Sequence, residues 1–375
     1  MLEKSADGRD LSRAAGEDQS LISADPGCPR RVLDMGAALR WPFLRVLTAG
    51  CQPTSWVLVN GPIVTQEQQE EFAQLRRSGC RFAGMSSYMN FPQSEADAIL
   101  GGLNLDALDY EAICEVWCHC FRDSGKYLRT NLPRALISVS DFTDYMRISP
   151  EAVGPPRRTE EIDFVYVGAT EEWKREAKNW RLAGQCIPRL CRDLRLRAFV
   201  VGTPNPDFPA NRGVVFSAPL AWDQLLARLF RARFLFVPNV LDASPRLLAE
   251  ALCLDVPIVV NSNILGGWKY VNRFTGAFFD SERDVVSAVR ACLERTFSPR
   301  SWFRANHGPY LSGQRLLRLL KMVDSEISEP SHMCLDESPP DPSTHPQRSP
   351  RGGLGPSWGS NESTPAPLSD QTSAD

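Results

Sequence analysis

The feature that most constrains this chain is a rhythm of short apolar runs in its second half. Phe164–Val167, Ala198–Val201, Val214–Phe216, Phe234–Val237 and Ile258–Val260 are rich in Val, Ile and Phe. Runs this short suit strands buried on both faces better than helices. Between several of them lie stretches of helical periodicity. Trp222, Leu225, Leu226, Leu229 and Phe230, for example, share one helix face. Strands alternating with helices predict a parallel, doubly wound α/β sheet covered on both sides. Ligands of such sheets bind beyond the carboxyl ends of the strands. The segments that follow the runs are therefore the ones to watch: Gly168–Lys174, Gly202–Pro206, Pro238–Arg246 and Asn261–Lys269.

The first half carries a weaker version of the same rhythm. Trp56–Val59 predicts a strand, and Thr65-Gln66-Glu67-Gln68 predicts a helix start with Thr65 as N-cap and Gln68 reaching back. Arg81–Met85 predicts the next parallel strand after that crossover. Tyr110 to Phe121 has the pattern of a helix, and Ala135–Val139 that of a further strand. Breaks in these patterns divide the chain into a flexible arm at 1–30, a smaller α/β lobe at 31–148, a linker at 149–161 and a second α/β lobe at 162–325. Ser149-Pro150 and Gly154-Pro155-Pro156 mark the linker. The stretch 326–375, rich in Pro, Ser, Asp and Gly, has too few apolar residues to offset its ordering entropy and is expected to be a disordered tail.

Composition removes several classes of function. A net charge of −3 offers no general attraction for nucleic acid or anionic membrane. No run of about 18 apolar residues, the length of a membrane span, is present. The mixed basic and aromatic stretch Trp173–Trp180 is interrupted by Glu176 and preceded by Glu171 and Glu172, so it reads as an amphipathic helix rather than a nucleic-acid patch. The chain has 11 cysteines, an odd number at irregular spacing, which predicts reduced thiols and a cytoplasmic protein. Cys114, Cys118, His119 and Cys120 fit no zinc spacing, so no metal site is expected. The chain has only four histidines, two of them in the tail, against a serine hydrolase, and it lacks a Gly-x-Gly-x-x-Gly fingerprint, against an NAD enzyme.

The strongest local signal is Asp242-Ala243-Ser244-Pro245-Arg246-Leu247-Leu248-Ala249-Glu250, directly after the run Phe234–Val237. Ser244 is a natural N-cap and Pro245 a natural first helical residue. A helix starting there aims free N–H groups and the positive end of its dipole at the cleft, where they would favour an anion such as a diphosphate. Asp242 before the helix and Glu250 within it would face the same ligand.

This constellation resembles the retaining nucleotide-sugar glycosyltransferases of the GT-B fold, in particular their family-four type. The matching residues are Asp242 and Glu250 with seven residues between them, the segment Ala251–Val260, the pair Gly266-Gly267 and the strand entry Phe274–Phe279. The resemblance implies two doubly wound parallel-sheet lobes facing a cleft, with a final helix near Gly313–Val323 returning to the first lobe. It implies that Glu250 holds the donor's ribose, that Asp242 lies beside the transferred sugar, and that Lys174, six residues after Gly168, contacts the diphosphate. Gly168, Gly202, Ser244, Arg246, Leu247, Gly266, Gly267 and Lys269 complete the expected donor site. The implied reaction is metal-independent transfer of a sugar, with retention, from a nucleotide-sugar co-substrate to an unidentified acceptor.

Three positions depart from the pattern. The first acid is Asp242 rather than Glu, Ala169 stands where a basic residue is usual, and Pro245 stands where glycine is common. Proline has no N–H to offer a phosphate, and the reading here is that Arg246 supplies the missing contact through its guanidinium. Two alternatives stay open. One is an inactive GT-B-like binding module; the other is a sugar-nucleotide epimerase or a phosphorylase on the same fold.

Overall fold

The computed structural model describes residues 39–89, 91–92, 108–129, 131–154, 162–168, 175, 177–202, 213–327 and 332–336. The expected flexible arm therefore lies outside the described residues, as do Lys174, Ala169 and most of the tail.

The first lobe is a mixed six-stranded sheet in the order β12-β1-β2-β3-β4-β5. Its strands are β1 (Phe43–Thr48), β2 (Pro53–Val59), β3 (Arg81–Met85), β4 (Val116–His119), β5 (Arg134–Leu136) and, from far along the chain, β12 (Met333–Leu335). From β2 to β5 the strands are parallel, whereas β1 runs antiparallel to both β2 and β12. Helix α1 (Gln66–Arg77) makes the β2–β3 crossover. Its predicted capping box is present: the Gln68 N–H donates to Thr65 Oγ1 at 3.3 Å, and the Thr65 N–H donates to Gln68 Oε1 at 2.9 Å.

Several expectations for this lobe need correction. The helix foreseen from Tyr110 to Phe121 is only α2 (Tyr110–Ile113), after which Val116, Trp117 and Cys118 enter the buried sheet as β4. Pairing with β3 and full burial outweigh any helical tendency in that run. The strand foreseen at Ala135–Val139 ends at Leu136, and Val139–Phe142 forms a 3-10 turn. Cys51, in the turn between β1 and β2, is disulfide-bonded, while the other described cysteines are free thiols. Within the tail expected to be without structure, Met333–Leu335 is a strand, because fully buried Met333 gives it an apolar anchor.

After α3 (Pro150–Val153) the chain enters the second lobe, a parallel six-stranded sheet in the order β11-β10-β9-β6-β7-β8. Its strands are β6 (Phe164–Val167), β7 (Ala198–Val201), β8 (Val214–Ser217), β9 (Phe234–Val237), β10 (Ile258–Asn261) and β11 (Gly276–Phe279). The chain winds outward from β6 to β8 and then returns to β9 on the other side of β6. That reversal makes the sheet doubly wound and opens a crevice between β6 and β9. One face is covered by α4 (Trp180–Asp193) and α7 (Val285–Leu293). The other is covered by α5 (Trp222–Leu229), α6 (Arg246–Cys253) and α8 (Pro299–Asn306).

The last helix, α9 (Pro309–Lys321), leaves this lobe and packs on the first. Leu316, Leu317, Leu319 and Leu320 sit in one core with Val46, Trp56, Leu58 and Met85. Among the described residues no helix is long and apolar enough to cross a membrane.

Candidate functional site

A cleft of about 350 Å³ opens at the carboxyl ends of β6 and β9, where the winding reverses. That is within the usual range for a small-molecule site. Its apolar walls are Val167, Leu225, Phe236, Val237, Pro245, Leu247 and Leu248. Lys178, Asn239, Asp242, Ser244, Arg246 and Glu250 supply the polar surface. The acid pair and the helix start between them are thus gathered on one cavity, as the spacing implied.

The local geometry differs from expectation at the helix start. The N-cap of α6 is Pro245, with φ −70° and ψ 92°, and no side chain caps the helix. The Ser244 hydroxyl is already engaged across the lobe junction: it accepts the Ser140 N–H at 3.0 Å and donates to Ser140 Oγ at 2.9 Å. A serine that bridges the lobes cannot also turn back onto its own helix.

Asp242 is held by two donors on one oxygen. Lys178 Nζ lies 2.7 Å from Oδ2, and Asn239 Nδ2 donates to the same atom at 2.9 Å. Glu250 accepts the indole N–H of Trp222 at 2.9 Å. Trp222 is itself 42% exposed, and the Arg147 guanidinium from the first lobe lies 5.0 Å from the centre of its ring. Arg246 is exposed at the cleft wall.

The remaining expected residues lie elsewhere. Gly168 and Gly202 end β6 and β7 and donate backbone N–H groups to Val201 and Ser217, but they do not line the cleft. Gly266 and Gly267 serve the packing of their loop. A Cβ at Gly266 would stand 1.8 Å from the Ala243 carbonyl oxygen, and one at Gly267 would meet Pro245 and Leu248. With the Gly266 N–H on the Asp242 carbonyl at 2.9 Å, this pair shapes the floor under the acid loop.

Lys269 is the clearest correction. Its ammonium is buried against Asp141 of the first lobe, 2.5 Å from Oδ2 and 3.0 Å from Ser138 Oγ, away from the cleft. Tyr270 donates its hydroxyl to the other Asp141 oxygen, and His307 Nδ1 stands 3.2 Å from that oxygen. Burial pushes the Asp141 carboxyl upward, but the Lys269 charge and the His307 imidazole outweigh it and hold Asp141 well below the usual carboxylate range. The run Trp268-Lys269-Tyr270 reads in sequence as a sugar contact, since aromatic and cationic groups suit that task. Its real partners are hidden because they lie some 130 residues upstream.

The sequence pattern assigns no site role to Lys178 and Asn239, which line the cleft, or to Trp222, which donates to Glu250. Lys178 lies in the stretch that reads in sequence as an amphipathic helix. Its position is set by Asn179, whose left-handed backbone (φ 50°) starts α4 and whose side chain donates to the Pro238 carbonyl at 3.1 Å. An asparagine in that conformation is the one local signal that could have marked the turn.

No family model and no curated protein sequence matches the chain. Solved structures do. HepE of Anabaena, in complex with UDP and glucose, superposes with a TM-score of 0.51 at 11% identity, over 69% of this chain and 77% of that one. The α,α-trehalose 6-phosphate synthase of Burkholderia multivorans gives 0.51 at 11% identity, over 73% and 72%. The UDP-forming trehalose-phosphate synthase of Burkholderia xenovorans, in complex with glucose-6-phosphate, gives 0.50 at 11% identity, over 71% and 72%. The chain has the GT-B fold. In GT-B terms the cleft belongs to the C-terminal lobe and faces the N-terminal lobe across the Ser140–Ser244 contact.

Proposed function

We propose that the chain is a glycosyltransferase that moves a sugar from a nucleotide-diphosphate sugar to an acceptor, with retention and without a metal ion. The observation that carries this reading is the convergence of Asp242, Arg246, Leu247 and Glu250 on one cleft at the switch point of the second sheet. In this reading Glu250 accepts the ribose hydroxyls. The start of α6, Arg246 and a lysine meet the diphosphate, and Asp242 faces the transferred sugar. Their cationic groups stabilise the charge that develops as the sugar–phosphate bond breaks. The acceptor hydroxyl then bonds the same sugar carbon from the face the diphosphate leaves, and its proton passes to the departing diphosphate oxygen. The UDP bound by the similar HepE makes uridine nucleotides the first donors to try.

A thermal-shift panel of nucleoside diphosphates and nucleotide-sugars on the full chain tests the reading, with Glu250→Ala as control. Ligand at about 100 times its dissociation constant adds roughly 2.7 kcal/mol to the stability of a folded protein that binds it. Stabilisation of the wild type and not of Glu250→Ala is the expected result. Absence of any shift across the panel would overturn the reading.

One observation favours a second reading, a GT-B-like module that binds a nucleotide-sugar without transferring it. Ser244, at the cleft wall, is hydrogen-bonded directly to Ser140 of the opposite lobe. Donor hydrolysis or transfer by the purified chain separates the two readings, since the module would bind without turnover.

A further inference from the structure

We propose that Lys178 is a shared cation of the cleft. It holds Asp242 while the site is empty and passes to the donor's diphosphate when ligand enters, leaving Asp242 to the sugar. The inference rests on the nucleotide-sugar reading above and names a binding residue outside the acid-x7-acid pattern.

The mount of Lys178 is rigid. The Tyr166 hydroxyl donates to the Lys178 carbonyl at 3.2 Å, and Asn179 caps α4 while its amide grips the exit of β9. The backbone is fixed, and only the flexible four-carbon stem carries the ammonium, one donor of which goes to Asp242 at 2.7 Å. The side chain retains 32% of its exposure, so the pair is open to a competing anion.

The partner is prepared for the exchange. Asn239 donates to the same Asp242 oxygen at 2.9 Å and stays in place if the lysine departs. The charge balance points the same way. Asp242 and Glu250 line the cleft against Lys178 and Arg246, two acids to two bases among the described residues. A diphosphate entering that cavity adds negative charge beside Asp242. The lysine already placed there can turn to it over a short distance, exchanging one charge-assisted bond for another.

The experiment is calorimetric titration of the full chain with UDP, GDP and ADP, and with the parent nucleoside of whichever binds. Variants are Lys178→Ala, Lys178→Arg, Asp242→Asn and Glu250→Ala. Loss of one charge-assisted bond corresponds to about a tenfold weakening. Lys178→Ala should show that loss for the diphosphate and none for the nucleoside, with Lys178→Arg restoring part of it. Asp242→Asn, which releases the lysine, should strengthen diphosphate binding several-fold. The proposal is overturned, with the donor site intact, by any of three results when Glu250→Ala abolishes binding. These are diphosphate binding unchanged in Lys178→Ala, nucleoside and diphosphate weakened alike, or Asp242→Asn weakening the diphosphate. If none of the three diphosphates binds the wild type, the nucleotide-sugar reading and this proposal fall together.

Discussion

Two lysine–aspartate pairs form at nearly the same distance in this molecule and stand in opposite surroundings. Lys269 and Asp141 meet at 2.5 Å with side chains 7% and 1% exposed, one from each lobe. Lys178 and Asp242 meet at 2.7 Å with 32% and 16% exposed, both within the second lobe. The buried pair is enclosed by further donors. Asp141 takes the Ser138 N–H at 2.9 Å and the Tyr270 hydroxyl, and the Ser312 hydroxyl donates to its backbone carbonyl at 2.8 Å. Among the described residues the open pair has only Asn239 beside it on the carboxylate, and a cavity in front. Contact distance alone does not say what an ion pair is for; the completeness of its surroundings does. One pair joins two lobes, and the other lines an open cleft.

The comparison breaks most readily at the buried pair. Lys269→Ala leaves Asp141 charged and sealed from water, so stability to denaturant should fall by about 3–5 kcal/mol. Lys178→Ala should cost under about 1 kcal/mol, because solvent screens the open pair. Equal losses in urea melts would show that burial is not what separates them.

Acid sharpens the same contrast. Burial holds His119 at about 4, with the Lys269 and Arg134 charges adding to the effect, and burial also holds His307 below its ordinary value despite the pull of Asp141. A histidine depressed in the folded state takes up fewer protons than the unfolded chain. Its contribution to stability is therefore present above the ordinary value near 6.5 and declines as pH falls below it. Asp141 is also depressed, so its contribution is lost only further down, below the ordinary carboxylate value near 3.8. The melting temperature should drop from pH 6.5 toward pH 4, and His119→Gln should flatten that drop. An unchanged slope in that variant would remove His119 from the account.

The smallest effect is expected at the cleft's other carboxylate. Trp222→Phe keeps a ring beneath Arg147 and removes only the indole N–H that Glu250 accepts at 2.9 Å. Losing that net hydrogen bond should cost about 1 kcal/mol of stability, while nucleotide binding should stay within roughly fivefold of the wild type. Tighter binding would mean instead that the indole competes with the ribose.

The second lobe was legible because its information is local. Each strand is a short run of Phe, Val and Ile, and the strands Phe164–Val167, Ala198–Val201 and Phe234–Val237 fall where those runs stand. The acid spacing likewise placed Asp242 and Glu250 on one cleft. What the pattern hid depends on partners far along the chain. Val116–Cys118 became a strand through pairing with Ala83–Met85. Ser244 lost its capping role to Ser140, and Lys269 was drawn out of the expected donor site by Asp141. Polar side chains at a lobe junction carry no periodicity, so nothing near Lys269 announces where its counter-charge will be.

The return of the chain after His307 has a consequence for the order of synthesis. The first lobe takes its covering helix from Pro309–Lys321 and an edge strand from Met333–Leu335. A ribosome therefore delivers every strand of the second lobe before the first lobe has all its parts. The lobe begun first is completed last, and until then the apolar face made by Val46, Trp56, Leu58 and Met85 lacks its cover. Truncation before residue 309 should leave that face exposed in an otherwise nearly finished molecule, an invitation to chaperones and to aggregation.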